Sequence, residues 1–342
     1  MAVKGIVCEN IGTLTYRENL PEPVMQRGEA IVRLRRVGIC GTDLHAYQGN
    51  QPYFTYPRVL GHELAGTIEQ VEANDQGLSI GDQVSIIPYL HCGHCIACRE
   101  GKTNCCVSMQ VIGVHADGGM VERLAVPASH LIPTEGLSLD ESALLEPLAI
   151  GAHAIRRSGL KAGETALVIG AGPIGLGIMA LAKGLGAKVI AMDVHEGRLQ
   201  FCRTWAKADE TVSALEQPRE QLSLLTKGEF PTVVFDATGN TASMTNSFQL
   251  AAHGGTIVFV GLVKDKITFD DPEFHKRELT LMGSRNATKE DFDYVLHSIK
   301  KGDVNLTRYV THHCTFEEMI GEFDKWLEPE SNVIKALVRL ED

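Results

Sequence analysis

The sequence predicts an α/β protein in two parts, a mostly-β part and a doubly wound parallel sheet, and three observations lead there. Residues 1 to about 150 read as short strands separated by turns. From about Thr165 the pattern changes to strand, glycine turn and helix in repeated alternation. With 342 residues, 44% hydrophobic and 22% charged, the chain is also long enough for two cores.

Each element follows from its own pattern. In the first part "AIVRLRRVG" alternates apolar and polar residues from Ala30, "DQVSIIPY" is a second apolar run and "MVERLAVP" a third. In the second part strands are expected at 165–169, 188–192, 232–236, 256–260 and 279–283. A tail from about Ala287 carries helical patterns near 289–301 and 315–327. It ends on "VIKALVRL", which alternates again and can rejoin the first part's sheet. The expected domains are therefore 1–150 with 287–342, and 151–286. No internal repeat or low-complexity tract interrupts them.

Charge and composition exclude several functions. Lys and Arg total 32 against 43 Asp and Glu, a net charge of −11, which repels a polynucleotide backbone. No nucleic-acid partner is expected. No run approaches the roughly 20 apolar residues of a membrane span, and "MAVKGIVCEN" lacks the charged head, apolar core and cleavage site of a secretory signal. The expectation is a cytoplasmic protein without a membrane partner.

Five of the nine cysteines fall in "HCGHCIACREGKTNCC", residues 91–106. In a reducing compartment, clustered thiols hold metal or do chemistry more often than they form disulfides. Cys92, Cys95 and Cys98 recur every three residues on a glycine-containing loop, and Cys105 or Cys106 supplies a fourth thiol. Four thiolates suit one tetrahedral zinc at about 2.3 Å, a closed shell with no place for substrate. Its role is structural, with Arg99, Lys102 or backbone N–H groups offsetting the charge. Spacing alone leaves Cys105 and Cys106 open.

"TALVIGAGPIGLGIMALAKGLGAKVIAMD" sets Gly170, Gly172 and Gly175 in G-x-G-x-x-G spacing between an apolar strand and an apolar helix. Asp193 ends the next strand, where a carboxylate can bond the hydroxyls of an adenosine ribose and repel a 2′-phosphate. The cofactor expected is NAD. Pro173 and Ile174 between the glycines, Arg198 just past Asp193 and Gly261 in "VGL" are counted with its site, beside "DATGN" at 236–240.

A nicotinamide needs a reacting centre. "GICGTDLHAYQGN" offers Cys40, Thr42, Asp43 and His45, and "RVLGHELAG" offers His62 and Glu63. One thiolate, one imidazole and one or two carboxylates make an open zinc site of mixed ligands. Singly, these residues are commoner in cores and on surfaces. Their conjunction with the dinucleotide motif gives them weight.

Together "GxCGTDxH", "GHE", thiols at 92, 95, 98 and 106, "EP" at 146–147 and "GAGPIG" resemble the zinc-dependent medium-chain alcohol and polyol dehydrogenases over essentially the whole chain. The resemblance implies a GroES-like catalytic domain joined to a Rossmann domain, two zinc ions per chain, NAD, and a homodimer or homotetramer. It places catalytic zinc on Cys40, His62 and Glu146, with Glu63 alternating as ligand or close neighbour. Structural zinc falls to Cys92, Cys95, Cys98 and Cys106, against Cys105. Alcohol dehydrogenases proper carry a cysteine at the Glu146 position, so the carboxylate looks like the sorbitol and threonine dehydrogenase branch.

Within that branch "GNQPYFTYPRVLGHE", "VIGVHADGG", "DPEFHK" and "GSRNAT" are similar to hexonate-oxidising members, which implies a polyol or sugar-acid substrate oxidised at a secondary hydroxyl. Threonine and sugar alcohols such as sorbitol or galactitol are the alternatives. Arg285 is the candidate cation for a substrate carboxylate. The resemblance also implies a proton relay from Thr42 through the cofactor ribose to His45. Asp43 is expected to orient His62, and Glu141 reads as an exposed loop acid. Two rivals are weaker: a zinc-ribbon nucleic-acid binder is opposed by the charge and the glycines, and a zinc-free quinone reductase by Cys40, His62 and the thiols.

Overall fold

The computed structural model describes residues 2–50 and 54–340, so Gln51, Pro52 and Tyr53 of "GNQPYFTYPRVLGHE" lie outside the described residues. The chain forms two compact units. The first comprises Met1–Glu146, Thr288–Leu296 and Leu306–Asp342, the second Pro147–Ala287 and His297–Asn305.

In chain order the first unit begins with β1 (Ala2–Asn10), β2 (Thr13–Pro21), β3 (Glu29–Ile39), α1 (Gly41–Tyr47), β4 (Arg58–Val59), β5 (Glu63–Val71) and β6 (Gln83–Ile86). It continues through β7 (Tyr89–Leu90), α2 (Ile96–Arg99), β8 (Gln110–Val111), β9 (Arg123–Pro127), β10 (Leu131–Pro133) and α3 (Leu139–Ala143). The helix α4 (Leu145–Ser158) runs across the division. Then come β11 (Thr165–Ile169), α5 (Pro173–Leu185), β12 (Lys188–Asp193), α6 (Glu196–Thr204), β13 (Glu210–Ser213), α7 (Pro218–Leu225) and β14 (Val233–Asp236). After α8 (Thr241–Asn246), β15 (Thr256–Phe259), α9 (Asp271–Lys276), β16 (Thr280–Gly283) and α10 (Lys289–Lys301), the tail adds β17 (His312–Thr315), α11 (Met319–Leu327) and β18 (Ala336–Arg339).

The alternation at Ala30 belongs to β3, the middle of a sheet ordered β10-β6-β5-β3-β18-β17, on which β9 also pairs. Its neighbours β5 and β18 are both antiparallel to it. The last strand thus returns to the first part, with Ala336 opposite Ile39. The tail follows for an apolar reason: Met319, Phe323 and Trp326 lie on one face of α11 and join Phe316, Leu34, Leu60 and Leu64 in one core. Each such side chain contributes about 1.5–3 kcal/mol on burial. The expected helix at 315–327 is shorter than its pattern, because β17 runs to Thr315 with Cys314 buried and a turn carrying buried Phe316 precedes the helix, which starts at Met319.

The second unit is a six-stranded sheet ordered β13-β12-β11-β14-β15-β16, parallel throughout. Strands are added on one side of β11 and then, from β14, on the other. The carboxyl ends of the strands at that reversal frame a crevice, the usual place for a ligand in such sheets. The edge strand β13 has no counterpart in the sequence reading, because "ETVS" offers one apolar residue among polar ones. Among the described residues, no helix is long and apolar enough to cross a membrane.

Candidate active site and metal centres

In the first unit, β3 runs into α1 through Cys40, which is the N-cap of that helix. Asp43, three residues on, turns back to cap it: Oδ2 accepts from the Cys40 N–H at 2.9 Å, and Oδ1 accepts from the Gly61 N–H at 3.1 Å. One buried carboxylate therefore ties the start of α1 to the loop that delivers His62 and Glu63. His62 Nδ1 lies 3.7 Å from Asp43 Oδ1, too far for a hydrogen bond, and has no other partner. Asp43 thus acts on His62 through charge rather than by fixing its tautomer through a hydrogen bond.

One donor atom each from Cys40, His62 and Glu63 lie within 4.8 Å of one another. Glu146 stays outside that group. It sits buried in the first turn of α4, where Oε1 accepts the Tyr89 hydroxyl and Oε2 has no partner. The resemblance implies Glu146 as third ligand with Glu63 alternating; in the structure Glu63 adjoins His62 at the head of β5 in the donor group, while the Tyr89 hydroxyl bonds Glu146. Lys335 completes the surroundings, its Nζ 2.6 and 2.7 Å from the two Glu63 oxygens.

The electrostatics fit a cation here. Burial, reinforced by the Glu63 charge, pushes the Glu146 carboxyl up to about 7 against the pull of His62. Burial works against a charge on His62, yet Asp43 and Cys40 raise its pKa well above the ordinary value. An unpartnered carboxylate oxygen and a donor set of thiol, imidazole and carboxylate match zinc with a position left open. Burial beside Glu146 pushes the Tyr89 hydroxyl well above its usual range, so it remains the donor.

Thr42 and His45 sit three residues apart on α1, Thr42 half-buried and His45 exposed. Glu141 is no loop acid: on α3 it closes a capping box, accepting from Ser138 N–H at 2.8 Å while its own N–H bonds Ser138 Oγ at 3.2 Å.

The thiol segment forms a separate centre. The sulfurs of Cys92, Cys95, Cys98 and Cys106 lie within 4.8 Å of one another, while Cys105 is exposed and outside the group. Backbone N–H groups of Cys92 and Ser108 each reach Cys106 Sγ at 3.3 Å. Backbone N–H groups of Val107 and Cys98 pull the Cys95 thiol down to about 6, whereas desolvation pushes Cys98 up to about 12. A loop that already donates to sulfur is set for thiolates and a metal.

In the second unit the glycine turn has the tightness its spacing implies. Gly170 has φ +95°, and a Cβ on Gly175 would lie 1.8 Å from the Gly170 carbonyl, so only glycine lets α5 start this close to β11. Asp193 is buried, with Oδ2 accepting from Ala171 N–H at 2.7 Å and Oδ1 from His195 N–H at 2.9 Å. A cleft of about 830 Å³ opens beside it. Of the expected cofactor residues, Gly170, Gly172, Asp193 and Arg198 line this cleft; Pro173, Ile174, Gly175 and Gly261 do not. Gly261 instead lets the ends of two strands approach, since its Cβ would lie 2.3 Å from Gly239 N. Arg285 follows β16 in the same unit and is exposed.

Sequence reasoning passed over Lys335, Tyr89, Gln217 and Arg219, of which the last two line the cleft. For Lys335 a signal existed: a lone charge inside the apolar run "VIKALV".

Known proteins resemble this chain along most of its length. Residues 26–136 match the alcohol dehydrogenase GroES-like domain, and residues 173–301 the zinc-binding dehydrogenase family. The chain is 42% identical to the L-galactonate-5-dehydrogenase of Escherichia coli (strain K12), over 97% of this chain and 98% of that one. It is 33% identical to the 2-dehydro-3-deoxy-L-galactonate 5-dehydrogenase of Pseudoalteromonas atlantica, over 92% of each. Among solved structures, a short chain alcohol dehydrogenase from E. coli CFT073 complexed with NADH superposes with a TM-score of 0.92 at 30% identity, over 98% of this chain and 99% of that one. This chain belongs to the zinc-type medium-chain alcohol dehydrogenase family and is an oxidoreductase acting on CH–OH donors.

Proposed function

We propose that the chain oxidises a secondary hydroxyl of a polyol or sugar acid to a ketone with NAD, with L-galactonate oxidised at C5 as the first substrate to test. The observation that carries the reading is the buried group of Cys40, His62 and Glu63, with the unpartnered oxygen of Glu146 nearby. The 42% identity to a relative named for L-galactonate supports the substrate class. The proposed zinc ligands are Cys40, His62 and Glu63 in the open site, and Cys92, Cys95, Cys98 and Cys106 in the closed one. When bound, zinc supplies the Lewis acidity that lowers a hydroxyl pKa, and NAD supplies the hydride acceptor.

The chain's own residues do the rest. Gly170, Gly172 and Gly175, with Pro173 and Ile174 between them, bring backbone N–H groups and the start of α5 to the pyrophosphate. Asp193, whose oxygens keep lone pairs beyond the two backbone bonds, takes the adenosine ribose beside Arg198, and Gly261 lines the far strand end. The Thr42 hydroxyl takes the substrate proton as it gives up its own, and exposed His45 passes a proton on to water. Glu146, with one oxygen tied to Tyr89, orients the substrate or a water through the other. Arg285 grips the substrate carboxylate. The proposed setting is cytoplasmic, as a homodimer or homotetramer without nucleic-acid or membrane partners.

A panel of hexonates, alditols and L-threonine, assayed with NAD by NADH absorbance, tests this. L-galactonate should give the highest kcat/KM. Preference for galactitol or threonine would move the substrate class, and no turnover on any of them would remove the reading.

A further inference from the structure

Glu63 is held by more than its position next to His62. The residue paired with it on β3 is Gly38, where a Cβ would come 2.1 Å from Glu63 Oε2. The carboxylate therefore lies over bare backbone of the middle strand. From the other flank of β3, Lys335 reaches in just before β18; its Nζ donates to both Glu63 oxygens and, at 3.1 Å, to the Ile39 carbonyl. Lys335 and Glu63 are 2% and 0% exposed. Stability is a poor reason for such a pair, since apolar residues of similar volume often serve a fold as well or better. Its geometry suggests another. An ammonium nearly equidistant from both oxygens occupies the place on the carboxylate bisector that a chelated cation would take.

We propose that Lys335 is a positioning residue of the metal centre: its ammonium keeps Glu63 a one-oxygen donor beside Cys40 and His62, and so preserves the open position that the substrate hydroxyl needs. This rests on the Cys40, His62 and Glu63 reading above. The asymmetry with Glu146 supports it. Both Glu63 oxygens are restrained by a cation, whereas Glu146 has one oxygen tied by a neutral hydroxyl and the other free. Without Lys335, the nearer carboxylate can close on the metal with both oxygens.

The experiment loads the full-length chain with Co²⁺ and reads its visible absorption after subtracting the His62→Ala variant, which keeps the thiol lobe. In Lys335→Met the band per bound ion should weaken as coordination number rises. A chelator should remove the ion several-fold more slowly than from wild type, and kcat should fall about 10- to 100-fold. Lys335→Gln, which keeps a hydrogen-bond donor, should show the same changes at smaller size and serves if Lys335→Met does not fold. In Lys335→Met/Glu63→Gln the slow release should vanish, because the amide cannot chelate. An unchanged band with release as fast as wild type, or faster, in the single variants overturns the proposal while leaving the metal site intact. Wild type taking up no more Co²⁺ than His62→Ala sinks the site itself, and the tether with it.

Discussion

The two candidate metal centres are built in opposite ways. The closed one takes four like donors from residues 92–106, all carried by one loop whose backbone N–H groups already serve sulfur. The open one would take unlike donors from Cys40 and from His62 and Glu63, and sets them among four further residues, Asp43, Tyr89, Glu146 and Lys335. A closed shell needs only its ligands. An open shell needs surroundings as well, because each donor must be kept from satisfying the metal's last position, and each buried charge must be answered by another group.

The comparison breaks most visibly at His62. Alanine there removes an open-site donor and leaves the thiol lobe untouched, so the variant should lose one of its two zinc ions and keep the other. The lost Lewis acidity is several kcal/mol of transition-state stabilisation, about a thousandfold or more in kcat. Metal analysis beside turnover of the best substrate checks both; an active variant carrying its full metal would dissolve the distinction between the centres.

Cys106→Ser and Cys105→Ser probe the other side. Cys106 is buried in the sulfur group and Cys105 is exposed outside it. The first variant should lose the lobe's zinc and melt several degrees lower, while the second should match wild type in both zinc content and melting temperature. Open-site activity in Cys106→Ser should survive at low temperature, because no ligand is shared between centres.

The same contrast governs what the sequence discloses. The thiol lobe and the glycine turn are local, and spacing carries them: three cysteines at three-residue steps, and a G-x-G-x-x-G whose third glycine is demanded by a carbonyl 1.8 Å from its would-be Cβ. The parallel sheet was legible too, apart from β13, whose single apolar residue gives no period. The open site was legible in its motifs, whereas the surroundings of its two glutamates were not. Which glutamate adjoins His62 in the donor group depends on Gly38 baring β3, on Lys335 arriving just before β18 and on Tyr89 holding Glu146. Those partners lie tens to hundreds of residues away, and no window along the chain brings them together. Glu141 erred in the other direction: a Ser three residues before it was a capping signal, and the structure uses it as one.

If distant surroundings make the open site, the seam of β3 and β18 that brings Lys335 to Glu63 should have its own fastening, and Asp140 provides one. From α3 it bonds Arg36 Nε on β3 at 2.6 Å and His313 Nε2 on β17 at 3.1 Å, with Arg339 of β18 at 3.7 Å. Burial alone would raise its carboxyl, but Arg36 and His313 outweigh that and hold it below the ordinary value. A folded-state pKa depressed below the unfolded value of about 3.9 gives stability that is complete well above that pH and disappears as pH falls through the folded value. Asp140→Asn should therefore cost about 1 kcal/mol or less near neutrality, as half-exposed pairs do. The gap to wild type should narrow below about pH 4 and close under stronger acid. Denaturation across that range measures it, with metal retention at each centre followed in parallel. Because the four thiols all lie within residues 92–106, outside this seam, only the open site should release its ion sooner in the variant; equal loss from both centres would mean that the two are less independent than their donor groups imply.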